Sequence, residues 1–262
     1  MTLVKHELKQ GKISFMIWTA VISFLLAICI FLFPEMKRQM DSVGDMFASM
    51  GSFTEAFGMD RLNFGTLIGF YAVECGNILG IGGAFYAALC AAVSILSKEE
   101  KDKTAEFLLT HPVRRQRIIT EKLIAVLIQI TVMNIIIYVI AVGSIVVVGE
   151  SIPLKEISLL HLAYYLLQLE LAGICFGFSA FLRKGSAGVG LGIAAMMYFL
   201  NLIANIADVA EFLKYITPFG YCDGADIVAN GRLDGQMVAI GAVIGVGGIL
   251  AAYLKYTKKD IH

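Results

Sequence analysis

The sequence predicts an all-α, polytopic integral membrane protein with six transmembrane helices. Hydrophobic residues make up 58% of the 262 residues and charged residues only 16%, against about 45–50% and about 25% in soluble domains. The mean hydropathy is +0.77, and the apolar residues lie in long runs with almost no charge. A soluble domain of this length has too little interior for so much apolar surface, and disorder requires the opposite composition. The lipid bilayer is therefore the predicted solvent.

Each predicted span is a run of about 20 mostly apolar residues, which is the length that crosses a bilayer as a helix. The runs are 15–33, 76–97, 123–149, 162–182, 186–207 and 236–254, within a single transmembrane domain. The second belongs to a longer apolar run, 62–97, whose only charge is Glu74. As one helix that run would extend for about 54 Å, far more than a bilayer. We therefore expect a break near Glu74, with an interfacial or re-entrant segment at 62–75.

Lysine and arginine predict the orientation, because they concentrate in cytoplasmic loops. Fifteen of the 21 lie in the N-terminal arm, the loop 98–122, the short connection after the fourth span and the C-terminal tail. These four segments fall on one side of a six-span arrangement. We expect this side, with both termini, to be cytoplasmic.

The sequence lacks the residues that several classes of function require. The 21 basic and 21 acidic residues cancel, so no net field attracts nucleic acid. No P-loop pattern is present to bind ATP. The four histidines fall outside the predicted spans, and the five cysteines lack the spacing of metal ligands. We therefore expect no catalytic residue, metal or cofactor on this chain.

Glu170 is the one ionisable residue well inside a predicted span. A charge at that depth is costly, so the carboxyl group should face protein or water and have a partner. In one interpretation Glu170, with Asn134 and Asn201, lines a substrate cavity. In the other it is a structural group, tied to one of four amides: Gln129, Asn134, Asn201 or Asn205.

Three pairs of glycines have the spacing that lets membrane helices approach closely. They are Gly76/Gly80, Gly173/Gly177 and Gly241/Gly245. Packing within the chain and a seam between two copies of the chain are both consistent with this pattern.

The loop 98–122, called the elbow below, has an amphipathic pattern with a break. Leu108 and Leu109 share one helical face, and Pro112 interrupts it because the residue before a proline avoids the helical region. Pro112 can then begin the next helix, which carries Arg114 and Arg115 and continues into the third span. Such an elbow is suited to docking on a soluble partner, although an ordinary basic loop has similar charges.

The elbow resembles the cytoplasmic loop of permease subunits of the type-2 exporter class of ABC transporters. That family has a Thr, a Glu two residues later, a Leu-Leu pair, Pro-Val or Pro-Ile, an Arg, and a Lys before the third span. The matching residues here are Thr104, Glu106, Leu108, Leu109, Pro112, Val113, Arg115 and Lys122, with Arg114 beside them. The glycine usual before the Thr is Lys103 here. Residues 4–9 look like the family's amphipathic N-terminal helix.

The resemblance implies partners as well as a fold. It implies a second permease, identical or a paralogue, and two copies of a separately encoded ABC ATPase that binds ATP and Mg. The matched residues would then couple that ATPase to the spans.

The function predicted from these observations is that of the membrane subunit of an ATP-driven exporter in the cytoplasmic (inner) membrane. The alternative is a proton-coupled secondary transporter or channel that uses Glu170. That alternative predicts further midplane charges and paired broken helices, whereas the sequence has only one clear charge at that depth. A non-transporting scaffold would leave Glu170 and the elbow unexplained.

Overall fold

The computed structural model describes residues 2–39, 54, 61–91, 114–182 and 187–258. Within these ranges almost every residue is helical and none is in a strand. In the part of the chain that the structure describes, six helices are long and apolar enough to cross a membrane. The predicted all-α, polytopic fold with six transmembrane helices is therefore confirmed.

The first helix, α1, is one continuous helix, Thr2–Arg38. Its 37 residues correspond to about 55 Å, so it extends well beyond the hydrocarbon core. The amphipathic N-terminal segment is thus not a separate element but the first part of the first spanning helix. Pro34 lies inside α1, close to its end.

The second helix, α2, does not have the break that the sequence predicted near Glu74. It runs Leu67–Cys90 and begins at Thr66, whose hydroxyl oxygen accepts the N–H of Gly69 at 3.2 Å. The helix continues through Glu74 and changes to a π-helical turn at Gly76–Gly80. Glu74 is tolerated because it is only half-buried and accepts a hydrogen bond from the Cys29 thiol at 3.5 Å. The apolar run is interrupted by a change of helical pitch rather than by a loop.

The remaining helices follow the predicted order with shifted ends. The third and fourth spanning helices extend further than the apolar runs, and the short helix α6 lies between the fifth and sixth. Their bounds are α3 Arg115–Val148, α4 Leu154–Phe181, α5 Ala187–Ile206, α6 Gly224–Asn230 and α7 Gly235–Lys258. Two 3₁₀ segments, Asp208–Tyr215 and Gly220–Cys222, connect α5 to α6. Gly149, with φ of 80°, ends α3 in the left-handed region that favours glycine.

Helix α4 lies at the centre of the bundle. Of its most apolar stretch 72% is buried, against 17% for α5 and for α7. The helices around it expose large apolar side chains, such as Phe24, Val139, Phe199 and Val243. That surface suits lipid, where an exposed apolar side chain costs nothing.

Two pairs of helices pack side by side along their length. Helices α1 and α3 run parallel, because Glu7 contacts Lys122 near their beginnings and Lys37 contacts Glu150 near their ends. Helices α4 and α7 are also parallel, since Glu170 lies against Gly241 and Gly177 against Gly248. The end of the bundle that contains Thr2 and Lys258 is called the terminal end below, and the opposite end is called the far end.

All three predicted glycine pairs lie at contacts within the chain. Gly173 and Gly177 face α7, where an added Cβ would meet the backbone of Gly245 and Gly248. Gly76 and Gly80 lie against the Tyr164 side chain, where an added Cβ would be 2.9 Å from the hydroxyl oxygen and 2.9 Å from a ring carbon, respectively. Packing within the chain therefore accounts for the spacing.

Candidate functional site

The elbow joins the bundle at the terminal end, where α3 begins. Arg114 is the extended residue immediately before α3, and Arg115 is the first residue of the helix. The other predicted coupling residues, Thr104, Glu106, Leu108, Leu109, Pro112 and Val113, lie outside the described residues. The structure thus describes the elbow from Arg114 onward.

Lys122 forms a buried ion pair two turns into α3. Its ammonium group donates to Glu7 Oε1 on α1 at 3.2 Å, and the side chains are 0% and 8% exposed respectively. Long cationic side chains are seldom fully buried without a partner. The sequence singled out Lys122 by resemblance alone, and it did not single out Glu7. The available signal was that Glu7 is the lone acid among the lysines of the N-terminal arm.

Glu121, the preceding residue, binds the backbone of the first turn of α1. One carboxylate oxygen accepts the N–H of Leu3 at 3.1 Å and that of Val4 at 3.4 Å. The other accepts from Arg117 Nε at 2.9 Å. Because the first N–H groups of a helix lack intrahelical acceptors, α3 supplies the cap that α1 requires.

Other polar contacts at the terminal end are less buried. The Thr120 and Tyr253 hydroxyl groups lie 2.7 Å apart and connect α3 to α7 at an exposed position. The Lys255 ammonium group lies 5.8 Å from the centre of the Phe181 ring, between α7 and α4. Among the described residues, the charge buried at this end is thus concentrated between α1 and α3.

Glu170 is 5% exposed and lies between α4 and α7. Its Oε2 accepts a hydrogen bond from the Tyr221 hydroxyl group at 3.0 Å. A Cβ on Gly241 would collide with the same carboxyl group, so this glycine makes room for it. Burial raises the pKa of Tyr221, which keeps the phenol protonated as a donor. The bond connects the bundle interior to the 3₁₀ segment at the far end.

The structure does not bring the three predicted cavity residues together. Asn134 donates to Gln168 Oε1 at 2.7 Å and to the Ile130 carbonyl oxygen at 2.9 Å, which joins α3 to α4. Asn201 lies in a cavity at the far end. Glu170 is in neither place, and its described hydrogen bond is to a tyrosine rather than to one of the four amides.

The cavity with Asn201 has a volume of about 70 Å³, small against the 300–1,000 Å³ of most ligand pockets. Amide side chains and tyrosine rings supply much of its polar lining. The residues that do so are Asn77, Asn201, Asn205, Tyr164 and Tyr198. Asn77 belongs to the π turn of α2, a placement that the sequence pattern did not predict.

An ion-pair cluster closes the far end beside this cavity. Arg61 pairs with Asp223 and, at 2.8 Å, with Asp226. Burial lowers the pKa of the guanidinium group, but the two carboxylates outweigh that and hold it above its ordinary value. Asp223 also caps α6 by accepting the N–H groups of Ala225 and Asp226. The cluster fixes the start of α2 against α6.

Comparison with known proteins assigns the family. No curated protein and no solved structure matches the chain. A family model described as ABC-2 family transporter protein matches residues 1–260. Together with the six membrane-spanning helices, this match shows that the chain belongs to the ABC-2 transporter family and is a multi-pass membrane permease.

Proposed function

We propose that this chain is the membrane subunit of an exporter driven by a separate ABC ATPase. Two ATPase copies bind ATP and Mg, and this chain performs no covalent chemistry. It works with a second permease, an identical copy or a paralogue, in the cytoplasmic membrane. The terminal end of the bundle faces the cytoplasm, where the ATPase docks on the elbow. The family membership and the geometry of α3 support this proposal.

The observation that carries the proposal is the continuity of α3. The helix begins at Arg115, within the elbow, and runs without interruption for 34 residues to Val148. That corresponds to about 51 Å, so one rigid element connects the docking region to the far end. A displacement of the elbow would therefore tilt the whole of α3.

Charge reversal in the elbow tests the proposed docking. Glu106 and Arg115 lie on either side of Pro112 and can pair with complementary charges on an ATPase. Truncating one partner of a close interfacial charge pair costs about 2–5 kcal/mol, much of it from the charge left unpaired. We expect Glu106→Lys and Arg115→Glu to detach or uncouple the ATPase while the spans remain inserted.

The measurement is co-purification of the ATPase with tagged permease, together with the ATP hydrolysis rate of the complex in nanodiscs. Arg232→Glu is the matched control, because Arg232 is exposed at the far end and carries the same change of charge. Normal ATPase binding and coupled hydrolysis in both elbow variants would contradict the coupling role. If wild type binds no ATPase and transport follows a proton gradient, a secondary transporter using Glu170 replaces this proposal.

The orientation is tested separately by cysteine labelling in intact cells. In a background without the five native cysteines, Ser42→Cys should react with an impermeant maleimide and Lys101→Cys should not. The reason is the excess of lysine and arginine on the side of Lys101. Labelling of Lys101→Cys from outside would invert the proposed topology.

A further inference from the structure

The beginning of α1 is attached to the beginning of α3 by two different kinds of contact. The first is the ion pair of Glu7 with Lys122, which is almost completely removed from solvent. The second is the cap that Glu121 provides to the N–H groups of Leu3 and Val4. One contact joins two side chains and the other joins a side chain to backbone. Together they oppose both sliding and rotation of α1 relative to α3.

The two helices stay close beyond this end. A Cβ on Gly11 would lie 2.8 Å from Gln129 Oε1, so the Gln129 side chain packs directly against the backbone of α1 there. At the far end the Lys37 ammonium group lies 3.0 Å from Glu150 Oε1. Helix α1 is therefore held to α3 at both ends and in between.

The contact of α3 with α7 at the terminal end is of another kind. It is the exposed pair of hydroxyl groups of Thr120 and Tyr253. Water can replace either partner in such a pair at little cost, whereas water does not reach the side chain of Lys122. Among the described residues, α1 is thus held to the beginning of α3 by more deeply buried contacts than α7 is.

We propose that Glu7, Glu121 and Lys122 make α1 and α3 move as a single unit when the ATPase displaces the elbow. Helix α1, as well as α3, then transmits this displacement across the membrane. This inference rests on the proposed function and adds a mechanical role for the N-terminal helix. The three residues are positioning residues, since they act by fixing one helix to another.

Distances between spin labels test directly whether α1 and α3 move as one unit. Labels are placed at lipid-facing positions in a cysteine-free background, and labelled chains are diluted with unlabelled permease so that only distances within one chain are measured. Phe24→Cys and Val139→Cys, each 63% exposed in the native residue, report on α1 and α3. Val243→Cys, 72% exposed in the native residue, reports on α7. The probe is MgATP with vanadate, added to the complex with the ATPase.

We expect the distance between positions 24 and 139 to stay the same on vanadate trapping and that between 139 and 243 to change. In Glu7→Gln with Lys122→Met, both charges are removed together and no buried charge is left alone. In this variant the distance between 24 and 139 should broaden or shift with nucleotide. The charge exchange Glu7→Lys with Lys122→Glu should restore the wild-type distance. Lys37→Gln with Glu150→Gln, which removes the more exposed pair, should have no effect.

A nucleotide-dependent distance between 24 and 139 in wild type would overturn the proposal. An unchanged distance in the Gln/Met variant would overturn the role of these residues. If that variant does not assemble, the wild-type measurement and the charge exchange still decide the result. A wild-type permease that binds no ATPase overturns the proposed function and this inference with it, and the binding assay distinguishes that failure from a failure of the unit alone.

Discussion

The two parallel helix pairs in this permease are joined by different chemistry. Helices α1 and α3 are connected by charged groups at their ends, including a lysine with no exposed side-chain surface. Helices α4 and α7 are connected by glycines, and their backbones touch at Gly173 and Gly245. The first pair lies next to the elbow, and the second passes through the centre of the bundle.

The difference follows from where each pair meets water. Helices α1 and α3 extend beyond the apolar runs at the terminal end, so their charged groups lie near the membrane surface. The α4–α7 contact lies inside the spans, where lipid provides no hydrophobic drive and close backbone packing holds helices together. An ion pair requires particular positions of its two charged groups, whereas glycine packing depends on how well two helix backbones fit along their length. Single substitutions should therefore act differently on the two pairs.

The largest effect is expected for Lys122→Met. This change leaves the Glu7 carboxylate buried without its ammonium partner, which costs about 3–5 kcal/mol for a buried ion pair. The double variant Glu7→Gln with Lys122→Met should be more stable than the single one, because no charge is left alone. The midpoint of thermal unfolding in detergent measures both. Equal stability of the single and double variants would show that Glu7 and Lys122 are not coupled.

A substitution at the glycine contact between α4 and α7 should cause an intermediate loss of stability, of steric origin. In Gly177→Ala the new methyl group would lie 2.7 Å from the Gly248 carbonyl oxygen, so α4 and α7 must separate. Overpacking of this kind costs about 1–3 kcal/mol. Gly247→Ala on α7 is the matched control, since nothing lies within 4 Å of its added Cβ. The midpoint of thermal unfolding should be well below that of wild type for Gly177→Ala and at or above it for Gly247→Ala. The reverse order would show that close glycine packing does not hold α4 and α7 together.

The sequence predicted the fold better than it predicted these contacts. Charge-poor runs of membrane length are a local signal, and they identified six spans. The break predicted near Glu74 is not present: α2 continues through this residue into a π turn, and the partner of its carboxyl group, Cys29, lies far away in the chain. Glu7 and Lys122 are also distant in sequence, and no periodicity reports that α1 and α3 run parallel.

The cavity prediction shows the same limit of local patterns. Glu170 was identified because a single charge in an apolar run is conspicuous. Its partner Tyr221 comes from a segment beyond the next span, which only the folded arrangement brings near. Asn134 and Asn201 share the polar character of Glu170 but face other neighbours.

The smallest effect is expected for Glu170→Gln, which tests whether the α4–α7 pair contains a purely structural carboxyl group. Tyr221 donates to Glu170, and a net contribution of about 1 kcal/mol is typical for one such hydrogen bond. Tyr221→Phe removes the donor outright, whereas the amide oxygen in Glu170→Gln can still accept a hydrogen bond, so Tyr221→Phe should lower the thermal midpoint more than Glu170→Gln does. The double variant should add little to Tyr221→Phe, because the bond is already lost once the donor is removed. ATP hydrolysis by the complex should stay at the wild-type rate. A changed hydrolysis rate in Glu170→Gln, with normal stability and a normal Tyr221→Phe, would instead assign Glu170 to the transport path and make the glycine-lined pair a functional surface.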